Sequence, residues 1–295
     1  MGRRLALGFA LALLLVPHAD GAESGCELYS ERVVDTGRTP RALSELSGLA
    51  ASRRHPGIYW AHNDSGHDLT LFAIRESGKI EAAFSLQGVT ATDPEDIGVG
   101  PCARNERRTC VYIADTGDNL RSRSQVQVIR VIEPEVLRSG PLIAEGFPFS
   151  YPDGAHDAEA LLVDPHTGEV FVVTKSIMSL GHAYRIDVDR RTRPTRAVSV
   201  GPVSSATGFD ALVTSGSVHP SGTRVLLRTY RGVWEFRRAG AHGIGDILRS
   251  TPRVVPGGVS HLQGEAVAYA PDGYGYLLGG EGKGTALLRV DCERP

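Results

Sequence analysis

Four glutamates and one threonine recur along the chain at positions where their oxygen atoms could bind a metal ion. Each glutamate begins a short, mostly apolar run, as in the segment EALLV that starts at Glu159. The threonine is placed by its distance of six residues from a following proline, the distance that also separates Glu159 from Pro165. The complete set is Glu45, Glu95, Glu159, Thr214 and Glu265. Grouped carboxylates repel one another, so a cation, a shared proton or a nearby basic side chain must offset their charge.

Oxygen ligands favour calcium among the common metal ions, because calcium takes about 6–8 oxygens in flexible geometry. The sequence has no His/Cys cluster of the kind that favours zinc. We therefore expect Ca²⁺ to be bound by the five residues of this set. The alternative is a water-filled channel without a metal, in which the glutamates accept hydrogen bonds from main-chain amides and arginine.

A second group of polar residues ends the strand-like runs that follow, and we predict that it binds the substrate. Its members are Asn63, Asp64, Asp118, Lys175, Arg228 and Arg231. Beside a cation, lysine and arginine would hold an anionic group such as phosphate or carboxylate, since arginine offers a bidentate fork. Ion pairing of these residues with neighbouring acids at the rim is an equally compatible interpretation.

His156 lies three residues before Glu159, which makes this pair the candidate for acid–base catalysis. The alternative is a solvated histidine in a loop. The sequence contains no G-x-S-x-G nucleophile motif, no P-loop and no H-E-x-x-H motif.

A repeat must bring these distant residues together. The five positions are separated by 50, 64, 55 and 51 residues, a loose period of the length expected for a four-stranded propeller blade. Short apolar runs bounded by Gly, Pro and Asp fill each interval, as in the hairpin pattern between Tyr151 and Ser176. The pattern predicts an all-β fold, a five-bladed β-propeller. A six-bladed ring and an irregular pair of β-sandwiches are the alternatives.

The ends of the chain are predicted to close the ring. The fifth unit has three strand-like runs, and the run LYSERVVD at residues 28–35 is left over near the N-terminus. As the outer strand of the last blade, it would remove the open edge and bring Cys26 beside Cys292. Cys102 and Cys110 flank a short charged loop between two strand-like runs, so we predict the nested pairing Cys26–Cys292 with Cys102–Cys110 among the three possible pairings.

The N-terminal residues and the net charge predict the cellular location of the protein and the partners it does not favour. Residues 1–22 have the basic, apolar and small-residue regions of a signal peptide. We expect an exported protein, secreted or periplasmic, with residues 26–295 forming a single propeller domain. The apolar region is too short to span a membrane, and a net charge of −2 does not favour nucleic acid. We expect a monomer.

Six segments resemble a widespread group of secreted bacterial β-propeller proteins of unassigned function. They are SELSGLAASRRHPGIYWAHNDSG, DPEDIGVG, VYIADTGDN, YPDGAHDAEALLVDPHTGEVFVVTK, VHPSGTRVLLRTY and QGEAVAYAPDG. More distantly, the chain is similar to calcium-activated nucleotidases (apyrases) and to phytase-like and lactonase-type propellers. Glu45 within ELSGL and Glu265 within GEAVAY are the closest matches to the apyrase pattern. That resemblance implies a calcium ion in the channel and phosphate binding at its mouth.

Two classes of function follow. One is a calcium-dependent hydrolase, of phosphoester or lactone type, that acts on a phosphorylated or otherwise anionic small molecule. The other is a non-catalytic binding module with a structural calcium, whose partner is a ligand or an unknown protein. A glycosidase is a weaker third interpretation, because an aromatic content of 6% leaves few residues to form a sugar platform.

Overall fold

The computed structural model describes residues 26–293 except 67, 105, 190–193, 204–207, 239, 241–242, 259–260 and 262. The signal peptide predicted for residues 1–22 lies outside the described residues. The fold is built almost entirely from β-strands. Among the described residues, no helix has the length and apolar character needed to cross a membrane.

The strands follow one another in a regular order. Strand β1 is Tyr29–Arg38, and strands β2 to β5 are Leu46–Ala51, Tyr59–Asn63, Thr70–Ile74 and Ile80–Gln87. Strands β6 to β9 are Pro94–Pro101, Thr109–Asp115, Val126–Ile132 and Gly140–Ser150. Strands β10 to β14 are Ala158–Val163, Val170–Thr174, His182–Ile186, Thr195–Arg196 and Val198–Pro202. Strands β15 to β18 are Val213–Val218, Arg224–Thr229, Val233–Arg237 and Arg253–Val255. Strands β19 to β21 are Gly264–Tyr269, Gly275–Gly280 and Ala286–Cys292. Helix α1 is Ile244–Ile247, and two single 3₁₀ turns are Arg41–Leu43 and Gly208–Asp210.

These strands form a β-propeller. In the described residues they form three four-stranded antiparallel sheets and one nine-stranded sheet, in which the antiparallel groups β2–β5 and β6–β9 are joined by the parallel pairing of β5 with β9. We call these five antiparallel groups units, and their inner strands are β2, β6, β10, β15 and β19. Each inner strand contacts the next, and β19 contacts β2, so the inner strands form a closed ring. The core consists of apolar clusters between neighbouring units, which is why both faces of most strands are buried.

Strand β1 closes the ring as predicted. It pairs antiparallel with β21 as the outer strand of the last unit. A disulfide joins Cys26 to Cys292, whose Cα atoms lie 5.4 Å apart, and a second joins Cys102 to Cys110. Both pairings are those predicted from the nested arrangement.

Each inner strand has a β-bulge near its start, which sets the register of the repeat. One extra residue is inserted between two paired positions, for example between Pro94 and Asp96. The bulged residues of the five units are Ser47, Glu95, Glu159, Thr214 and Glu265. Four of these match the predicted positions. In the first unit the equivalent residue is Ser47, two residues after the predicted Glu45. The pairing of β2 with β3 determines the position of the bulge, and the acidic residue that begins the run does not.

Asp96 ties the inner strands together inside the channel. Its fully buried carboxylate accepts hydrogen bonds from the amides of Leu161 (2.7 Å) and Gly216 (2.9 Å) and from the hydroxyl of Ser215 (3.0 Å). These partners belong to β10 and β15, so one side chain of β6 links three units. Burial raises the pKa of Asp96 well above its usual range, although these hydrogen bonds oppose the shift.

Candidate functional site

The bulged ends of the inner strands surround a polar cavity of about 220 Å³ at one mouth of the channel. A bulge turns its side chain away from the regular alternation of a strand, and here several of these side chains enter the same space. The lining residues are Glu45, Leu46, Ser47, Asp64, Glu95, Asn119, Glu159, Lys175, Tyr230, Gln263, Glu265 and Glu281. We call this space the mouth cavity.

The residue two positions before each bulged residue lies at the rim of the mouth cavity. In every unit the carbonyl of this residue accepts a hydrogen bond from an amide just after the second strand, as Asp157 does from Lys175 (2.9 Å). The five rim positions are Glu45, Asp93, Asp157, Leu212 and Gln263. Sequence reasoning missed Asp93 and Asp157. Each lies two residues before a glutamate, in Asp93-Pro94-Glu95 and Asp157-Ala158-Glu159. This acid-x-Glu spacing could have identified them, because a residue two positions before a bulge lies at the rim.

Five carboxylates in this region form two triads. Asp64, Asp93 and Glu95 make one, and Glu95, Asp157 and Glu159 make the other, with the ligand oxygens of each triad within 4.8 Å of one another. Glu95 belongs to both triads. Such groups suit a hard cation, since calcium binds carboxylate oxygens at about 2.3–2.6 Å.

Glu95 is the most isolated of these acids. Its side chain is 7% exposed, and among the described residues its carboxylate has no hydrogen-bond or ion-pair partner. Burial, followed by the charges of Glu159, Asp64, Asp93 and Asp157, raises its pKa well above the usual range. A buried carboxylate among other carboxylates requires either a proton or a cation.

Lys175 supplies the basic side chain among the residues that line the mouth cavity. Its Nζ donates to Oε1 of Glu159 (2.5 Å) and to the phenol oxygen of Tyr230 (2.8 Å). The ammonium also lies 4.8 Å from the centre of the Tyr230 ring. Burial raises the pKa of Glu159 to about 8, although Lys175 opposes the shift.

Two further carboxyl groups in the lining of the mouth cavity, those of Glu45 and Glu281, are hydrogen-bonded to each other. The hydrogen bond between Glu281 and Glu45, together with burial, raises the pKa of Glu281 to about 7. Glu281 also accepts a hydrogen bond from the amide of Gln263. Burial raises the pKa of Glu265 to about 7 as well.

The structure brings six of the predicted site residues into the mouth cavity, namely Glu45, Asp64, Glu95, Glu159, Lys175 and Glu265. Thr214 does not line it, because its hydroxyl donates to the carbonyl of Gly264 (2.7 Å). Arg228 is fully buried inside β16, with Nη2 3.0 Å from Nδ1 of His261. Arg231 is exposed and lies outside the lining.

The other predicted residues support loops around the mouth cavity. Asn63 donates its side-chain amide to the carbonyl of Ala42 and accepts from the amide of Glu45. Asp118 accepts from the amides of Ser122 and Arg123.

His156 also lies outside the lining of the mouth cavity. Its Nε2 contacts Asp153 and the phenol of Tyr184, each at 3.1 Å.

Solved structures with a similar fold include the PQQ-bound aldose sugar dehydrogenase of Streptomyces coelicolor. It is 11% identical, with a TM-score of 0.50, and the match covers 89% of this chain and 98% of that chain. The glutaminyl cyclase of Myxococcus xanthus is 12% identical, with 89% and 97% of the two chains covered and a TM-score of 0.47. A putative 6-phosphogluconolactonase of Bacteroides uniformis is 14% identical, with 84% and 71% covered and a TM-score of 0.41.

No protein-family model and no curated protein sequence matches the chain. At these identities the solved structures show the fold alone. The chemistry therefore has to be argued from the residues of the mouth cavity.

Proposed function

We propose that the protein binds Ca²⁺ at the mouth cavity and hydrolyses an anionic small molecule there, of phosphoester or lactone type. The observation that carries the proposal is the buried carboxylate of Glu95, which has no partner among the described residues and lies between two carboxylate triads. A bound cation would offset this charge. Export of the protein would expose it to the calcium of an extracellular or periplasmic medium.

The residues of the mouth cavity fit calcium. Their metal-binding atoms are oxygens from carboxylates and from hydroxyl and amide groups, and neither histidine nor cysteine lines the cavity. Glu95, Asp157 and Glu159 would hold the ion, with Glu45 and Glu265 as further carboxylates of the same space. The carboxylate oxygens can act as mono- or bidentate ligands, as calcium coordination requires. Thr214 is left out of this ligand set because its hydroxyl is bonded to Gly264.

An anionic substrate would otherwise be repelled by the mouth cavity, because acidic residues predominate among its lining. When bound, calcium would polarise a phosphoryl or carbonyl oxygen and position water. Lys175 is already oriented by Tyr230 and Glu159, and its ammonium would donate a hydrogen bond to the anionic group. Glu159 would accept a proton from the attacking water, a role that we give to Glu159 because His156 lies outside the cavity.

A substrate panel tests this proposal. Purified protein would be assayed on phosphate esters, nucleotides and lactones with calcium and with chelator. We expect turnover that needs calcium and that falls at least 100-fold in Glu95→Gln and Lys175→Met. Glu169→Gln is the matched control, since Glu169 forms an exposed ion pair with Arg185 away from the mouth cavity. Calcium binding without turnover of any compound would contradict the hydrolase.

One observation favours a second function, a non-catalytic binding propeller with a structural calcium. Ser47, the bulged residue of the first unit and one of the lining residues, donates its hydroxyl to the main-chain carbonyl of Glu95 (2.5 Å), so this side chain links two inner strands. In this case calcium would raise the melting temperature while every compound of the panel stayed intact. A ligand or protein bound at the rim would then be the biological partner.

A further inference from the structure

The two carboxylate triads share Glu95, and we infer that the mouth cavity holds two divalent cations bridged by this residue. The inference rests on the proposed function, because it adds a second ion beside the first. One position would be formed by Glu95, Asp157 and Glu159, and the other by Asp64, Asp93 and Glu95.

Distances within each triad fit one ion. Two oxygens bound to the same calcium at about 2.3–2.6 Å lie up to about 5 Å apart. The ligand oxygens of each triad lie within 4.8 Å of one another. Each triad can therefore contribute three ligands to its own ion with little movement, and Glu95 can offer one carboxylate oxygen to each position.

The state of Glu95 points to ions independently of the acidic cluster. The side chain is 7% exposed, faces the mouth cavity and has no hydrogen-bond or ion-pair partner among the described residues. By contrast, Asp157 accepts a hydrogen bond from the amide of Asp118 (2.8 Å) and Glu159 from Lys175. The carboxylate common to both triads is thus the one whose charge the protein leaves unmatched.

The main chain is shaped to keep this carboxylate next to Asp93. A Cβ atom on Gly117 would lie 2.0 Å from Oε1 of Glu95 and 2.5 Å from Oδ2 of Asp93. Only glycine therefore allows the loop after β7 to pass so close to both side chains. The result is that the oxygens of the second position are held together by backbone packing.

Charge balance favours two ions over one. The five carboxylates carry five negative charges when ionised, and Lys175 offsets one of them. One calcium would leave two negative charges, whereas two calcium ions would leave none. Arg123 interacts electrostatically with Asp93, but its hydrogen bonds go to the carboxylate of Asp115 and the carbonyl of Gly117.

The two positions should differ in affinity. Lys175 touches Glu159 and so places a positive charge beside the first position. No basic side chain forms a described hydrogen bond or ion pair with Asp64, Asp93 or Glu95 in the second position. We therefore expect the second position to bind calcium more tightly than the first.

Calcium stoichiometry tests the inference. Calcium ions would be counted by equilibrium dialysis and calorimetry on the purified protein after removal of metal with chelator. We expect two equivalents for the unchanged protein and for the control Glu169→Gln. Asp93→Asn and Asp157→Asn should each lose one equivalent, and Glu95→Gln should weaken both by at least tenfold. Because a buried substitution can impair folding, circular dichroism and the partly exposed Asp64→Asn variant accompany the series.

The outcomes separate this inference from the proposed function. One equivalent that is lost in Asp157→Asn and kept in Asp93→Asn and Asp64→Asn would overturn the second position while the single calcium site stands. Absence of any calcium binding would overturn both. Two equivalents with no turnover of any compound would support the paired ions and contradict the hydrolase.

Discussion

The ammonium of Lys175 lies 2.5 Å from a carboxylate oxygen of Glu159, and both side chains are largely buried. Tyr230 fixes the same ammonium from the other side through its phenol oxygen. An anionic substrate and a cation would therefore each interact with one member of this ion pair. The substrate would approach Lys175, and the ion would approach Glu159.

Removal of the ammonium should strengthen calcium binding at the first position. At about 4 Å, even in bulk water, a divalent ion and one positive charge repel by about 2 kcal/mol, which corresponds to more than tenfold in affinity. Lys175→Met should therefore bind the weaker calcium about tenfold more tightly and lose turnover. Lys175→Arg, which keeps the charge, is the control. Equal calcium affinity in Lys175→Met and the unchanged protein, measured by calorimetry, would contradict this arrangement.

Asp96 should be among the most sensitive positions for stability. Asp96→Ala would leave the amides of Leu161 and Gly216 buried without their acceptor, at about 1–3 kcal/mol for each group. We expect a loss of about 3–5 kcal/mol in the free energy of unfolding by urea denaturation. Ser217→Ala removes a single acceptor, that of the Tyr269 amide, and should cost about 1 kcal/mol. A loss for Asp96→Ala no larger than that for Ser217→Ala would show that the channel does not depend on this carboxylate.

Stability without metal should fall as the pH rises through the pKa of Glu281, which is about 7 in the folded protein. The folded protein raises the pKa of Glu281 to about 7, mainly through its hydrogen bond with Glu45, so it binds a proton that the unfolded chain releases. The stabilising contribution is complete below the unfolded pKa of about 4.5 and is lost as the pH rises to about 7.

Glu281→Gln removes this titration. In chelator, the stability difference between the variant and the unchanged protein should grow in favour of the variant from pH 4.5 to pH 8. It should reach about 1 kcal/mol, since solvent screens a partly exposed pair. Thermal denaturation across this range measures it, with the exposed Glu169→Gln as control. A pH-independent difference would mean that folding does not raise the pKa of Glu281.

Most of the architecture was predictable because each strand is a short apolar run bounded by turn residues. The hairpin pattern between Tyr151 and Ser176 contains strands β10 and β11, Ala158–Val163 and Val170–Thr174, and the run at residues 28–35 is the main part of β1. The missing fourth strand of the last unit predicted the closure and with it the bond between Cys26 and Cys292. Burial of both faces of the strands makes this pattern strong.

The residues that line the mouth cavity were harder to predict from the sequence than the strands. A β-bulge inserts one residue without changing the apolar pattern, so the first unit was predicted to start at Glu45 although Ser47 is the bulged residue. Arg228 was placed at the rim because it ends an apolar run, but strand alternation turns its side chain into the protein. The parallel pairing of β5 with β9, from Phe84–Gln87 to Gly140–Ile143, has no local sequence signal.

The two disulfides should differ in their contribution to stability. Cys26 and Cys292 are 266 residues apart, whereas Cys102 and Cys110 are 8 residues apart. In the chain-entropy model the long loop contributes about 5.6 kcal/mol and the short one about 2.5 kcal/mol. Replacement of both members of each pair by serine, followed by urea denaturation, should show the larger loss for the pair at the chain ends. A larger loss for Cys102 and Cys110 would mean that native strain or residual structure outweighs loop entropy.

The pairing of β1 with β21 also determines when folding of the propeller can be completed. Tyr29–Arg38 is the earliest of the described strands to leave the ribosome, but its partner, Ala286–Cys292, is the last. At about 5–20 residues per second, the early strand waits roughly 10–50 s for that partner. During synthesis the open strand edges of the nascent chain can therefore pair with other chains. A polypeptide terminated before residue 286 would lack the partner of β1 and could not close the ring of strands.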